Sequence, residues 1–123
     1  MGQYWYPVNL DKKEFVDPHT LGVGLKLVEQ AGSHPGTGTA LVILLAAQPE
    51  QRGGGDLDMS LDPAKRIIGR WAGDRIALVG DYAEDTDLAP EHEASKIYDR
   101  CLSREYTDIS EDVSRVIQQE IGD

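Results

Sequence analysis

Cysteine occurs once in these 123 residues, at Cys101, which excludes an internal disulfide framework. No apolar run approaches the ~20 residues that a membrane-spanning helix requires; the longest, Ala40 to Ala47, covers eight. Histidine occurs three times, and His19, His34 and His92 show none of the helical spacings of zinc sites, so no metal centre is expected. The segment Met1–Tyr6 has no basic stretch followed by an apolar one, so it does not read as a secretory signal. Tyr6 also stands where a myristoylation motif needs Ser or Thr. A lone thiol and no export signal together predict a cytoplasmic protein. The P-loop, the dinucleotide glycine fingerprint and the EF-hand spacing are all missing, so the motifs imply no cofactor and no catalytic residue.

Positive charge is scarce too. Twelve Lys and Arg stand against twenty-two Asp and Glu, a formal net charge of −10. Residues 1–80 carry nine acids and eight bases, whereas residues 81–123 carry thirteen acids and four bases, net −9. Binding to a phosphate backbone needs Lys and Arg to release counterions, so the acidic third does not predict contact with nucleic acid. Two readings remain for it. One is solubility. The other is a surface for a basic macromolecular partner, nucleic-acid mimicry included, with Glu84, Asp85 and Asp87 as its candidate residues.

What is present predicts one domain, residues 1–123, with enough chain for a core without staples. Tyr4, Trp5, Tyr6 and Val8 suit a first strand, and Pro7 places that strand at an edge or a bulge. Asn9 to Lys13 reads as a turn, and Glu14-Phe15-Val16 returns to close a hairpin. Asp17-Pro18 has the form of a helix cap followed by proline at the first helical position. A short helix is expected from about Gly24 to Ala31, stopped by Gly32. Thr39 to Gln48 is apolar on every side and reads as a buried helix. Pro49 to Pro63 is the longest irregular stretch. Ile67-Ile68 is expected as a short strand pairing with Ile76–Val79 across a turn at Ala72-Gly73-Asp74. Ala94, Ile97, Tyr98, Cys101 and Leu102 recur at helical spacing. So do Ile109, Val113, Val116, Ile117 and Ile121, behind a cap formed by Asp108 and Glu111.

The densest stretch is Trp71 to Tyr82. An apolar run, Ile76 to Val79, lies between two Gly-Asp steps, Gly73-Asp74 and Gly80-Asp81, as a buried strand would. The predicted fold is α+β: a small mixed sheet with an N-terminal hairpin and a central strand at 75–80, one buried helix near 39–48, and two amphipathic C-terminal helices. Trp5, Ile76, Leu78, Val113 and Ile117 are expected to share one core.

Met1-Gly2-Gln3-Tyr4, Val8-Asn9-Leu10-Asp11-Lys12-Lys13-Glu14, Arg52-Gly53-Gly54-Gly55-Asp56, Trp71-Ala72-Gly73-Asp74-Arg75-Ile76, Gly80-Asp81-Tyr82 and Tyr106-Thr107-Asp108-Ile109-Ser110 form a set spread over most of the chain. Pro18-His19 and Gly24-Leu25-Lys26-Leu27 add to it. As a set they resemble a family of small, functionally uncharacterised proteins of bacterial and mobile-element genomes. The resemblance implies a compact domain and carries no activity, cofactor or catalytic residue with it.

Six residues are candidates for a ligand site. Arg52 and Asp56 bracket three glycines, whose backbone N–H groups can form an anion-binding nest; the plainer reading is a flexible loop. Trp71 and Arg75 can offer a stacking, anion-binding surface. The plainer reading is architecture: Gly73 supplies a positive φ, Asp74 accepts a turn bond from nearby backbone or from Arg75, and Arg75 pairs with Asp81 or Asp56. Asp81 closes the strand. His19 can serve as a general base only if Asp74 or Asp81 orients it, and Cys101 falls on an apolar helix face. The leading expectation is a non-enzymatic protein that binds a macromolecular partner through its acidic C-terminal face. The alternative is a small-molecule or anion binder, or a hydrolase, with its site between the Gly53–Gly55 loop and Trp71–Tyr82.

Overall fold

The computed structural model describes residues 3–32, 35–47, 53, 57 and 62–119. Arg52, Asp56, Gly54, Gly55, His34 and Ile121 lie outside the described residues.

The chain forms an α+β fold around a four-stranded mixed sheet. β1 (Trp5–Asn9) and β2 (Glu14–Phe15) make the expected hairpin, with Val8 opposite Phe15. Its turn is held by Asn9, whose side-chain oxygen accepts from the N–H groups of Asp11 and Lys12 at 2.9 and 2.8 Å. Lys13 completes it in the left-handed region, at φ 57°. β3 (Ile76–Gly80) runs antiparallel to β1, and β4 (Thr107–Asp108) runs parallel to β2, giving the order β3-β1-β2-β4.

Asp17 caps a 3₁₀ turn, Pro18–Leu21, by accepting from the N–H of His19 at 3.0 Å. α1 spans Leu27–Gly32, α2 Thr37–Leu45 and α3 Asp62–Ile67. After β3 come two 3₁₀ turns, Asp85–Asp87 and Pro90–His92, then α4 (Ala94–Leu102) and α5 (Ser110–Ile117).

Because side chains alternate across a strand, the sheet carries a separate apolar layer on each face. Tyr6, Val8, Phe15 and Val79 meet Ile97, Tyr98 and Cys101 of α4. There the Tyr6 and Tyr98 rings stack, with centroids 4.5 Å apart and planes within 4°. The other layer joins Ile43 and Leu44 of α2, Ala64 and Ile67 of α3, Val113, Val116 and Ile117 of α5, and Trp71.

Several expectations change. β1 is interior rather than at an edge, and β3 takes the edge. Pro7 is tolerated because the β2 ladder ends there: Val16 donates to the Pro7 carbonyl at 3.1 Å, and Pro7 has only to accept. Ile67 ends α3 and Ile68 follows directly on it, so neither belongs to a strand. With Ala64 they form an i, i+3, i+4 face, and Ile68 N–H reaches the Ala64 carbonyl at 2.9 Å. Two adjacent apolar residues cannot distinguish the two periods, and the helix start at Asp62-Pro63 decides it. α1 begins at Leu27, later than expected, and ends on Gly32. α2 spans Thr37–Leu45 and buries one stripe, leaving Val42 exposed. α4 buries Ala94, Ile97, Tyr98 and Cys101 but exposes Leu102. In the expected shared core, Val113, Ile117 and Ile76 pack together, whereas Trp5 is half-buried and Leu78 is 41% exposed at the sheet edge. The expected Asp108–Glu111 cap does not form: Ile109 holds the N-cap position of α5 with no side-chain cap bond, and Asp108, one residue earlier, accepts from the Ser110 N–H at 2.9 Å.

Candidate functional site

The candidate residues fall at the two ends of β3. At the entry, the segment 70–75 meets the β1–β2 hairpin through a set of polar contacts. α2 places this segment: its last carbonyls, which have no partner within the helix, accept from Gly69 and Trp71 N–H, each at 2.9 Å. Trp71 is thereby driven wholly into the core. Its indole N–H donates to the Glu14 carboxylate at 3.0 Å. Glu14 is itself buried, and Arg70 grips it through Nε at 3.0 and 3.1 Å and through Nη2 at 2.5 Å. A buried carboxylate needs such partners, because an unpaired charge away from water is strongly unfavourable.

Gly73, at φ 83°, turns the chain toward β3. Asp74 then accepts from the Lys12 ammonium and from the Asn9 side-chain amide, the latter at 2.8 Å. Lys12, with Asn9 second, holds the Asp74 carboxyl below its usual range. Arg75 goes to Asp11: its N–H donates at 2.8 Å and its Nε at 2.9 Å, and these bonds hold Asp11 low. Glu91 lies 3.9 Å from the Arg75 guanidinium. The architectural reading of this stretch thus has different partners from those expected. The Asp74 carboxylate bonds neither Arg75 nor nearby backbone, and Arg75 goes to Asp11 rather than Asp81, while Asp56 lies outside the described residues; both side chains turn to the hairpin.

At the exit, Asp81 extends the sheet. Its N–H donates to the Tyr4 carbonyl and its carboxylate accepts from the Tyr4 N–H at 3.0 Å. The five residues of β3 separate Arg75 from Asp81, about 20 Å at strand rise. The structure therefore brings Asp74 and Arg75 together and leaves Asp81 far from both. Trp71 offers no stacking face, since its ring is enclosed and its N–H is occupied. His19 is exposed, and neither Asp74 nor Asp81 orients it, since their hydrogen bonds go elsewhere. Cys101 is buried, and burial, with Asp108 second, pushes its thiol up to about 12, so it stays protonated at neutral pH.

Beyond Asp81 the chain is acidic and exposed. The Asp87 carboxylate turns back to the Glu84 N–H at 2.9 Å. Asp85 accepts from the Ser95 hydroxyl at 2.6 Å and its N–H at 3.0 Å, which lowers its pKa. Among the described residues, no Lys, Arg or His lies within ion-pair distance of Asp81, Glu84, Asp85 or Asp87. Glu93, by contrast, is paired with Arg100 at 2.8 Å and Lys96 at 3.1 Å. Among the described residues, no group of three His, Cys, Asp or Glu has the geometry of a metal site. Beside β3 lies a cleft of about 320 Å³ with Trp5, Leu78, Ala83 and Leu88 in its apolar wall and Asp87 at its rim. Asp74, Arg75 and Asp81 take no part in it.

Asn9, Asp11, Lys12, Glu14 and Arg70 complete the contacts at the entry of β3, and sequence reasoning does not single them out. Glu14 carries the one available signal, an acid placed beside Phe15 in an otherwise apolar strand. No family model, no curated protein and no solved structure matches the chain. Among the described residues, no helix is long and apolar enough to cross a membrane.

Proposed function

We propose that this chain is a non-enzymatic interaction protein that binds a basic segment of a macromolecular partner on its acidic C-terminal face. One observation carries the reading. Asp81, Glu84, Asp85 and Asp87 stand in a single exposed loop with no cation at ion-pair distance among the described residues, whereas Asp11, Glu14, Asp74 and Glu93 are each matched with Lys or Arg. Ser95 and the loop's own N–H groups hold Asp85 and Asp87 in place, so the charge is presented by an ordered surface. Such a surface speeds encounter with a positively charged partner and discriminates against acidic ones. The alternative small-molecule site near Trp71–Tyr82 gains no support from Trp71, Asp74 or Arg75, whose polar groups are engaged within the fold.

The test compares wild type with the triple variant Glu84→Gln, Asp85→Asn, Asp87→Asn in pull-downs from native extract at low and high salt. Amides keep the oxygen that accepts from Ser95 and from Glu84 N–H, so the loop retains its shape. A partner captured by wild type at low salt should be lost both at high salt and with the variant, because exposed charges are screened beyond a Debye length of ~8 Å at physiological ionic strength. Equal retention under all four conditions would reduce the acidic face to a solubility device.

A further inference from the structure

We infer that the cleft beside β3 is the anchoring pocket of the acidic face: it takes one large apolar side chain of the partner segment, while the carboxylates at its rim take the Lys or Arg residues that flank that side chain. The inference rests on the reading above and names the kind of segment that the face selects, apolar and basic together.

The pocket joins the sheet edge to the acidic loop. Trp5 comes from β1 and Leu78 from β3, whereas Ala83, Asp87 and Leu88 come from the loop itself. Single exposed apolar side chains are ordinary on a protein surface. Here Leu78 is 41% exposed, Trp5, Ala83 and Leu88 are half-buried, and all four line one concavity of about 320 Å³. That volume lies at the small end of ligand sites, roughly 300–1,000 Å³, and suits a single anchoring side chain. The walls are held before anything binds. The Trp5 N–H donates to the Leu25 carbonyl at 2.9 Å, and the Trp5 carbonyl accepts from the Gln30 amide at 2.8 Å. Gln3, also in the lining, accepts from the Tyr82 N–H at 3.3 Å, and the Ala83 N–H donates to the Gly80 carbonyl at 3.2 Å. A pocket already ordered in the free protein avoids that ordering cost on binding.

Charge chooses the occupant. Among the described residues that line the pocket there is no Lys, Arg or His, and Asp87 alone is charged. One Asp87 oxygen accepts from the Glu84 N–H, and the other has no partner among the described residues. Glu84 and Asp85 are exposed in the same loop. An acidic segment is repelled there, and an uncharged apolar one leaves the carboxylates unanswered. A segment with a large apolar residue beside Lys or Arg satisfies both. Buried apolar anchors carry most of the affinity of such contacts, whereas rim charges set encounter rate and salt dependence. The two contributions are therefore separable.

The probe is a phage-displayed library of random short peptides, selected on the full chain at low salt. Selected sequences should carry Leu, Met, Phe or Trp within about two residues of Lys or Arg. The strongest is then titrated by fluorescence anisotropy, with circular dichroism confirming the fold of each variant. Ala83→Phe fills the pocket from its own wall and should weaken binding by about tenfold or more, and Leu78→Thr, which trims an exposed wall, by less. Both should leave the salt dependence as it was. Glu84→Gln, Asp85→Asn and Asp87→Asn together should weaken binding and flatten its salt dependence. Changing the peptide's apolar residue to Ala should cost about tenfold on wild type and little on Ala83→Phe, because the two changes remove one contact. Basic peptides selected without an apolar residue, or affinity indifferent to both Ala83→Phe and Leu78→Thr, would overturn the pocket and leave the acidic-face reading standing. Apolar peptides without Lys or Arg, or no selected peptide at all, would overturn that reading and the pocket with it.

Discussion

The two Gly-Asp steps that bracket β3 are alike in sequence and opposite in structure. At Gly73-Asp74 every carboxylate has a cation: Glu14 with Arg70, Asp74 with Lys12, Asp11 with Arg75. At Gly80-Asp81 and in the loop beyond, four carboxylates have none at ion-pair distance among the described residues. The difference lies in what faces each end. The entry is met by the β1–β2 turn, which brings Lys12, Asn9 and Asp11 within reach. The exit is met by the Tyr4 peptide and by the Gln3 side chain, which accepts from Tyr82 N–H at 3.3 Å, and neither brings a cation. Charge that is matched inside the molecule holds the fold, and unmatched charge is free to meet another molecule. A Gly-Asp step alone therefore signals neither role.

The sharpest way to break this comparison is to remove the buried anchor at the entry. Glu14→Ala leaves the Trp71 N–H and the Arg70 guanidinium without their acceptor and should destabilise the protein by about 3 kcal/mol, read from urea unfolding. Glu14→Gln keeps an acceptor for Trp71 and should cost less.

Next in size is Asn9→Ala. It removes the acceptor of two turn N–H groups and a donor to Asp74, and should cost about 2 kcal/mol. Asp74→Ala should lower the urea midpoint in the same direction but less, since Lys12 is exposed and regains water. An Asp74→Ala protein with an unmoved midpoint and impaired binding would instead assign that carboxylate to a ligand.

The smallest effect is pH dependence. Asp74 and Asp11 titrate below the ordinary 3.8 in the folded protein. Groups lowered by folding contribute stability that is complete above the unfolded pKa and is lost as pH falls through the folded one. The urea midpoint should therefore hold from pH 7 to about 5 and decline below about 4. Asp74→Asn should soften that decline.

How much of this is legible in the sequence depends on distance along the chain. α4 and α5 are written locally, as Ile97-Tyr98-Cys101 and Val113-Val116-Ile117 at helical spacing. Asp17-Pro18 is likewise a local signal for the 3₁₀ turn that forms. The entry cluster is not local: Asn9 and Asp74 are 65 residues apart, and Glu14 and Trp71 are 57 apart. No periodicity encodes which acid will meet which base across that span, so the sequence points Arg75 toward Asp81 or Asp56 rather than toward Asp11. Edge and interior exchange between β3 and β1 for a related reason. Pro7 removes one N–H, but only the register with β2 shows that it falls where that ladder ends, so a single bond is forgone.

Glu14 and Trp71, as partners of one another within the fold, are what makes the entry of β3 structural. A double-mutant cycle of Glu14→Gln and Trp71→Phe, followed by urea unfolding, measures that partnership directly. The double variant should be more stable than the sum of the single losses implies, by about 1 kcal/mol. Losses that add within about 0.3 kcal/mol would contradict it.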